Sequence, residues 1–144
     1  MNKLILATAL FMTSLALQAQ DAVTTADNGL QIEVLTENVM NDKGKLLIAL
    51  YTKDGFYSRD PFMKTAVVIE NGSATFVFKD VPPGTYAIMA LHDENENYRM
   101  DMQSNGMPKE AWATSGNDLS MGPPDFETSK FELQKENLTI NLRF

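Results

Sequence analysis

The stretch Thr65–Phe78, TAVVIENGSATFVF, contains the clearest structural signal in the chain. Two runs of β-branched and aromatic residues, Thr65–Ile69 and Ala74–Phe78, flank the pair Asn71-Gly72. Asn-Gly is the pair that tight hairpin turns prefer, because both turn positions need a positive φ. The sequence therefore predicts a β-hairpin at the middle of the chain.

Strand-like segments continue on both sides of this predicted hairpin. Upstream, Leu30–Leu35 alternates apolar and polar residues, and Lys45–Tyr51 is an almost continuous apolar run typical of a central strand. Downstream, Thr85–Leu91 alternates large and small residues, and Lys130–Gln134 with Leu138–Phe144 predicts a second hairpin. About seven strands and no convincing amphipathic helix favour an all-β, antiparallel β-sandwich of immunoglobulin-like or transthyretin-like kind.

Alternation along the predicted strands also indicates which residues face the space between the two sheets, since successive side chains point to opposite faces. The residues predicted to face inward are Ile32, Val34, Leu47, Ala49, Val68, Phe76, Phe78, Tyr86, Ile88, Ala90, Phe131, Leu133, Leu138, Ile140 and Leu142. Their side chains are expected to form the core.

The N-terminal segment has the pattern of a secretory signal. Lys3 precedes the apolar run Leu4–Leu17, and small residues follow it, so we predict cleavage after Ala19. The run is too short to span a bilayer, which takes about 20 residues. The prediction is a signal peptide over 1–19, a flexible lead-in over 20–29 and one domain over 30–144, exported to the periplasm or the extracellular space.

Composition excludes several classes of function. The chain of 144 residues has 12 Lys+Arg against 19 Asp+Glu, a net charge of -7, which disfavours nucleic acids and anionic membranes as partners. It has no Cys, so thiol nucleophiles, disulfides and zinc–thiolate sites are excluded. His92 is its single histidine, so catalytic mechanisms that need two histidines are excluded.

The connection His92–Glu127 has no sustained period, and a long connection of this kind in a compact domain is usually functional, so we expect one long ordered loop. Its first part places oxygen ligands at the spacing that calcium loops use: Asp93, Asn95, Asn97 and Asp101. Tyr98 stands where such loops need glycine, and Ser104 stands where a closing glutamate is expected. The other interpretation is a solvated turn whose side chains bond local backbone amides.

The same segment holds the candidate ligand surface, formed by His92, Tyr98, Trp112 and Phe126. Aromatic residues in loops line ligand clefts, and they also serve as lids over a core. His92 and Asp93 are adjacent on a strand and point to opposite faces, so they do not predict a catalytic pair. The spacing of Glu110 and the later carboxylates predicts no catalytic residue, and we expect no enzyme.

Five motifs in this order resemble a secreted bacterial family catalogued as domain of unknown function 2141. The motifs are NDKGKLLIALY (Asn41–Tyr51), DGF (Asp54–Phe56), DVPPGTYA (Asp80–Ala87), LHDEN (Leu91–Asn95) and MGPPDF (Met121–Phe126). The resemblance covers Leu30 to Phe144 and implies a small exported β-sandwich without an established activity. The family carries glycine at the positions of Glu96 and Tyr98, which implies a positive φ at both.

Three functional hypotheses follow from the sequence. The first is a non-catalytic binding or interaction module that uses the 92–127 loop to bind an envelope protein or a small ligand. The second is a calcium-stabilised structural domain. The third and weakest is a carbohydrate-active enzyme, since no acid–base pair can be named.

Overall fold

The computed structural model describes residues 29–118 and 122–144. The predicted signal peptide and the lead-in up to residue 28 lie outside the described residues. In chain order the elements are β1 (Leu30–Glu37), β2 (Lys45–Tyr51), α1 (Lys53–Ser58), β3 (Met63–Val67), β4 (Ala74–Val81), β5 (Gly84–Asp93), β6 (Trp112–Thr114), α2 (Phe126–Ser129), β7 (Phe131–Leu133) and β8 (Leu138–Arg143). Neither described helix is long and apolar enough to cross a membrane.

The strands form two sheets. The smaller sheet has the order β4-β1-β8, and the larger has the order β3-β2-β5-β6, with β7 also paired to β5. The strand pairs are antiparallel except β1 with β8, which run parallel. The prediction of an all-β sandwich is confirmed, and among the described residues it has one parallel pair and an extra short strand, β6, inside the predicted long loop.

Both predicted hairpins are wrong. Asn71 and Gly72 do form a tight turn, with φ of 53° and 71°, and the turn is closed by hydrogen bonds between Glu70 and Ser73. Beyond this bridge, however, β3 pairs with β2 and β4 pairs with β1 in the other sheet. Likewise β7 pairs with β5, and β8 pairs with β1. Turn chemistry reverses the chain, but it does not determine which neighbour each strand joins.

The core between the sheets confirms most of the predicted inward face, including Ile32, Val34, Phe78, Ile88 and Leu142. The predicted inward face of β2 is wrong. Leu47 and Ala49 were predicted to face the core, but the buried residues are on the other face of the strand: Leu46, Ile48 and Leu50. They lie opposite His92, Ala90 and Ile88 of β5, all of which are buried. A continuous apolar run carries no parity of its own, so the pairing with β5 determines it.

Val68 is also predicted inward but is 65% exposed. It follows the last residue of β3, where the chain leaves the sheet for the turn at Asn71.

A second small cluster lies on the outer face of the larger sheet. Ala87 alternates with two residues of the main core, Tyr86 and Ile88, and packs instead against Phe56 of α1 and Phe126 of α2. The sequence did not predict these helices, because six and four residues are too few for a helical period to show. Their positions bring the end of the predicted long loop back onto the sheet.

Candidate functional site

The candidate site begins where β5 ends, at His92 and Asp93. The His92 ring is buried opposite Leu46, and its Nε2 donates to the Lys43 carbonyl at 2.9 Å. The Asp93 carboxylate is also buried, and its two oxygens accept the backbone N–H groups of Asn97 at 3.1 Å and Tyr98 at 2.8 Å. The two side chains therefore have separate partners.

The four residues predicted as calcium ligands meet in one turn. Asp101 Oδ2 accepts hydrogen bonds from Asn95 Nδ2 at 2.6 Å and from Asn97 Nδ2 at 3.0 Å. The amide oxygens of Asn95 and Asn97 in turn accept the backbone N–H groups of Asn97 and Arg99. Hydrogen bonds from Asn95 and Asn97 lower the pKa of Asp101, because they stabilise its charged form.

Glu110 holds this turn through a contact that sequence analysis did not predict. Its side chain is 8% exposed, and its two oxygens accept the backbone N–H groups of Glu94 at 3.1 Å and Asp101 at 3.0 Å. These partners lie 16 and 9 residues upstream, so no local spacing marks the contact. Asp93 and Glu110 together hold the segment 93–110, which we call the acidic turn, from two sides.

Glu96 and Tyr98 adopt φ of 57° and 61°, so the positive φ implied by the family resemblance is confirmed. This conformation is costly for side chains with a Cβ, by about 1–2 kcal/mol per residue. The Glu96 carboxylate lies 2.8 Å from the Lys45 ammonium, and its hydrogen bond and charge raise the pKa of Lys45. Gly44 allows the backbone of Asp93 and Glu94 to lie close beside it, because a Cβ at this position would clash with the Asp93 carbonyl oxygen.

The acidic turn presents apolar side chains to solvent. Tyr98 is 61% exposed, and Met102 and Met107 are 54% and 50% exposed. The two methionines lie on a small antiparallel loop in which Gln103 N–H donates to the Met107 carbonyl and Lys109 N–H donates to the Asp101 carbonyl. These backbone bonds hold the loop in shape.

Two members of the predicted ligand surface are not on the surface. His92 is buried, and Phe126 is 2% exposed with its ring 5.7 Å from that of Phe56 in an edge-to-face contact. Phe126 also lies in α2 and Trp112 in β6, so neither belongs to an irregular loop. Tyr98 and the half-buried Trp112 remain as accessible aromatic side chains of the 92–127 segment.

A cleft of about 160 Å³ opens beside Trp112. Its lining residues are Trp112, Thr114, Asp118, Gly122, Pro123, Pro124, Asp125, Thr128 and Ser129. Asp125 is held there by three contacts: its Oδ2 accepts the backbone N–H groups of Glu127 and Thr128, and its Oδ1 accepts the Tyr57 hydroxyl at 3.1 Å. Hydrogen bonds from Lys130 and Lys53 lower the pKa of the neighbouring Glu127 to about 2.

These features define a β-sandwich domain with a hydrogen-bonded acidic turn at one strand end and a cleft beside a single tryptophan. The chain belongs to the bacterial family described as "Uncharacterized protein conserved in bacteria (DUF2141)", whose model matches residues 34–141. Comparisons with curated proteins and with solved structures found no match. Among the described residues, no group of three or more His, Asp or Glu side chains is arranged to hold a metal ion.

Proposed function

We propose that this protein is an exported, non-catalytic binding module and that the 92–127 segment carries its binding surface. The observation that carries the proposal is that the acidic turn is held by buried carboxylates and presents apolar side chains to solvent. Asp93 and Glu110 are buried and accept four backbone N–H groups, whereas Tyr98, Met102 and Met107 face solvent.

A surface of this kind favours binding for two physical reasons. A segment already held in one shape loses little conformational entropy when a partner docks on it. Tyrosine supplies a rigid contact area with a polar tip, and methionine adapts to irregular partner surfaces. Exposed apolar side chains mark interaction sites when they form a contiguous patch.

The non-catalytic part of the proposal is supported by what the carboxylates do. Asp93 and Glu110 use both of their oxygens to accept backbone N–H groups, and Asp101 accepts the amides of Asn95 and Asn97. A general acid or base needs an oxygen that can reach a substrate proton. These oxygens serve instead as structural acceptors.

The partner is proposed to be an envelope protein or a small ligand, since the pattern of residues 1–19 predicts export. The test is capture from an envelope extract by the wild type, by a Tyr98→Ser/Met102→Ser variant and by Val68→Ser. Val68 is equally exposed but lies outside the segment, so it is the matched control. We expect the double variant to lose the captured partner with its Tm unchanged; equal capture by all three proteins would refute the role of this segment.

A calcium-stabilised domain is the second candidate function, and the meeting of its four predicted ligands in one turn favours it. Calcium would have to replace the amide groups of Asn95 and Asn97 at Asp101 Oδ2. A Kd of about 1 mM would stabilise the native state by about 1.4 kcal/mol at 10 mM calcium. A Tm that rises with calcium and no longer rises in Asp101→Asn would support this candidate, and an unchanged Tm would eliminate it.

A further inference from the structure

Three of the residues that line the cleft beside Trp112 have ring side chains: Trp112 itself, Pro123 and Pro124. The face of an indole ring attracts a cation, and the attraction is stronger when the cation is desolvated. These ring side chains therefore suit a group that is either flat and apolar or positively charged.

The polar lining residues select between these two. They are Thr114, Asp118, Asp125, Thr128 and Ser129. None of the described lining residues is Lys, Arg or His. Because Asp125 is held in place by the contacts given above, its charge stays at the cleft. Two acidic side chains and no described basic side chain in the lining disfavour anions.

Ser129 supplies an independent sign of an incomplete site. Its side chain is 1% exposed, and within the described residues its Oγ has no hydrogen-bond partner. An unsatisfied buried hydroxyl destabilises the folded state. The Ser129 carbonyl is already used, since it accepts the Ser115 hydroxyl. Because Ser129 is one of the residues that line the cleft, a hydrogen-bond donor that reached Oγ from there would offset this cost.

From these observations we infer that the cleft beside Trp112 binds a single ammonium or guanidinium group, such as the tip of a basic side chain of a partner. The size agrees, because about 160 Å³ is well below the roughly 300–1,000 Å³ of sites for larger ligands and suits one side chain. The inference rests on the proposed function, since most of the cleft belongs to the 92–127 segment. It adds the charge and chemical class of the ligand.

The test uses the intrinsic fluorescence of Trp112, which is the only tryptophan of the chain and therefore reports on this cleft alone. The full mature protein is titrated with acetyl-arginine amide and with acetyl-citrulline amide, its uncharged counterpart. Methyl glucoside is the neutral polyol control. An arginine-containing tripeptide and spermidine then distinguish a polypeptide source of the charge from a small amine.

We expect a saturable change with the arginine probe and none with citrulline. Asp118→Asn removes one charge at an exposed position and is expected to weaken binding by about three- to tenfold. Asp125→Asn is the second variant, since asparagine preserves the helix cap. Glu70→Gln removes one exposed charge outside the lining set and should leave the affinity unchanged.

Equal responses to arginine and citrulline, or equal weakening by Glu70→Gln, would overturn the inference. A saturable response to methyl glucoside alone would also overturn it while leaving the binding-module proposal intact. If capture depends on Tyr98 but no probe changes the fluorescence of Trp112, the inference about the cleft is overturned and the binding-module proposal stands. Tighter binding of the tripeptide than of spermidine would support a protein partner, and the reverse would support a small amine.

Discussion

Replacement of Glu110 by glutamine should loosen the acidic turn. Glutamine keeps the length of the side chain but presents one N–H₂ group where both partners are N–H donors. One of the two bonds, to Glu94 N–H or to Asp101 N–H, must therefore be lost. The position is buried, so water does not readily replace the lost acceptor.

The magnitude follows from the two bonds. The orphaned N–H group costs about 1–3 kcal/mol, and the remaining bond loses the added strength of a charged acceptor, about 1 kcal/mol. We therefore expect Glu110→Gln to lower the free energy of unfolding by about 3 kcal/mol. With a urea m-value of about 1.5–2 kcal/mol/M, the unfolding midpoint should fall by about 1.5–2 M.

Urea unfolding gives the global effect, and hydrogen exchange shows where it arises. If the turn opens locally before the sandwich unfolds, the amides of Glu94 and Asp101 should exchange about 100-fold faster while core strand amides change little. Glu136→Gln, an exposed carboxylate near β8, is the matched control. A midpoint shift no larger than that of Glu136→Gln, with unchanged exchange at both amides, would refute the role assigned to Glu110.

Three further predictions concern the rest of the fold. Phe126→Ala should lower the free energy of unfolding by about 3–5 kcal/mol, because the ring is buried. Glu127 has a pKa of about 2, so its charge should stabilise the native state above pH 4.5, and this effect should be lost as the pH falls toward 2. The Tm difference between the wild type and Glu127→Gln should therefore shrink over this pH range. Gly44→Ala should lower the free energy of unfolding by about 1–3 kcal/mol more than Gly106→Ala, as measured by urea unfolding. Of these two glycines, Gly44 lacks space for a Cβ and Gly106 has it.

Each of these predictions has its own control. Phe126→Leu should recover most of the stability. A Phe126→Ala variant as stable as the wild type would contradict the packing role assigned to the ring. A Tm difference for Glu127→Gln that stays constant down to pH 2 would contradict the lowered pKa. Gly44 and Gly106 both have a positive φ, at 65° and 79°, so equal effects of the two alanine substitutions would show that backbone strain alone matters.

Sequence alone indicated the approximate positions of the described strands except β6, and it located the turn at Asn71-Gly72. Period-two alternation in β1 and β5 identified their buried faces, because one apolar face must meet the core. The pair Asn71-Gly72 identified a tight turn, because Asn and Gly tolerate the positive φ that both turn positions need. The order of acidic and amide residues at Asp93–Asp101 identified the side chains that meet in the acidic turn.

Only the tertiary structure decided which strands pair, which face of β2 is buried and what holds the acidic turn. The two strands beside Asn71-Gly72 join different sheets, because pairing depends on neighbours that lie far away in sequence. Leu46 is buried because it lies opposite His92, and a run without polar residues has no parity to predict this. Glu110 reaches amides far upstream, a contact that only the folded chain creates.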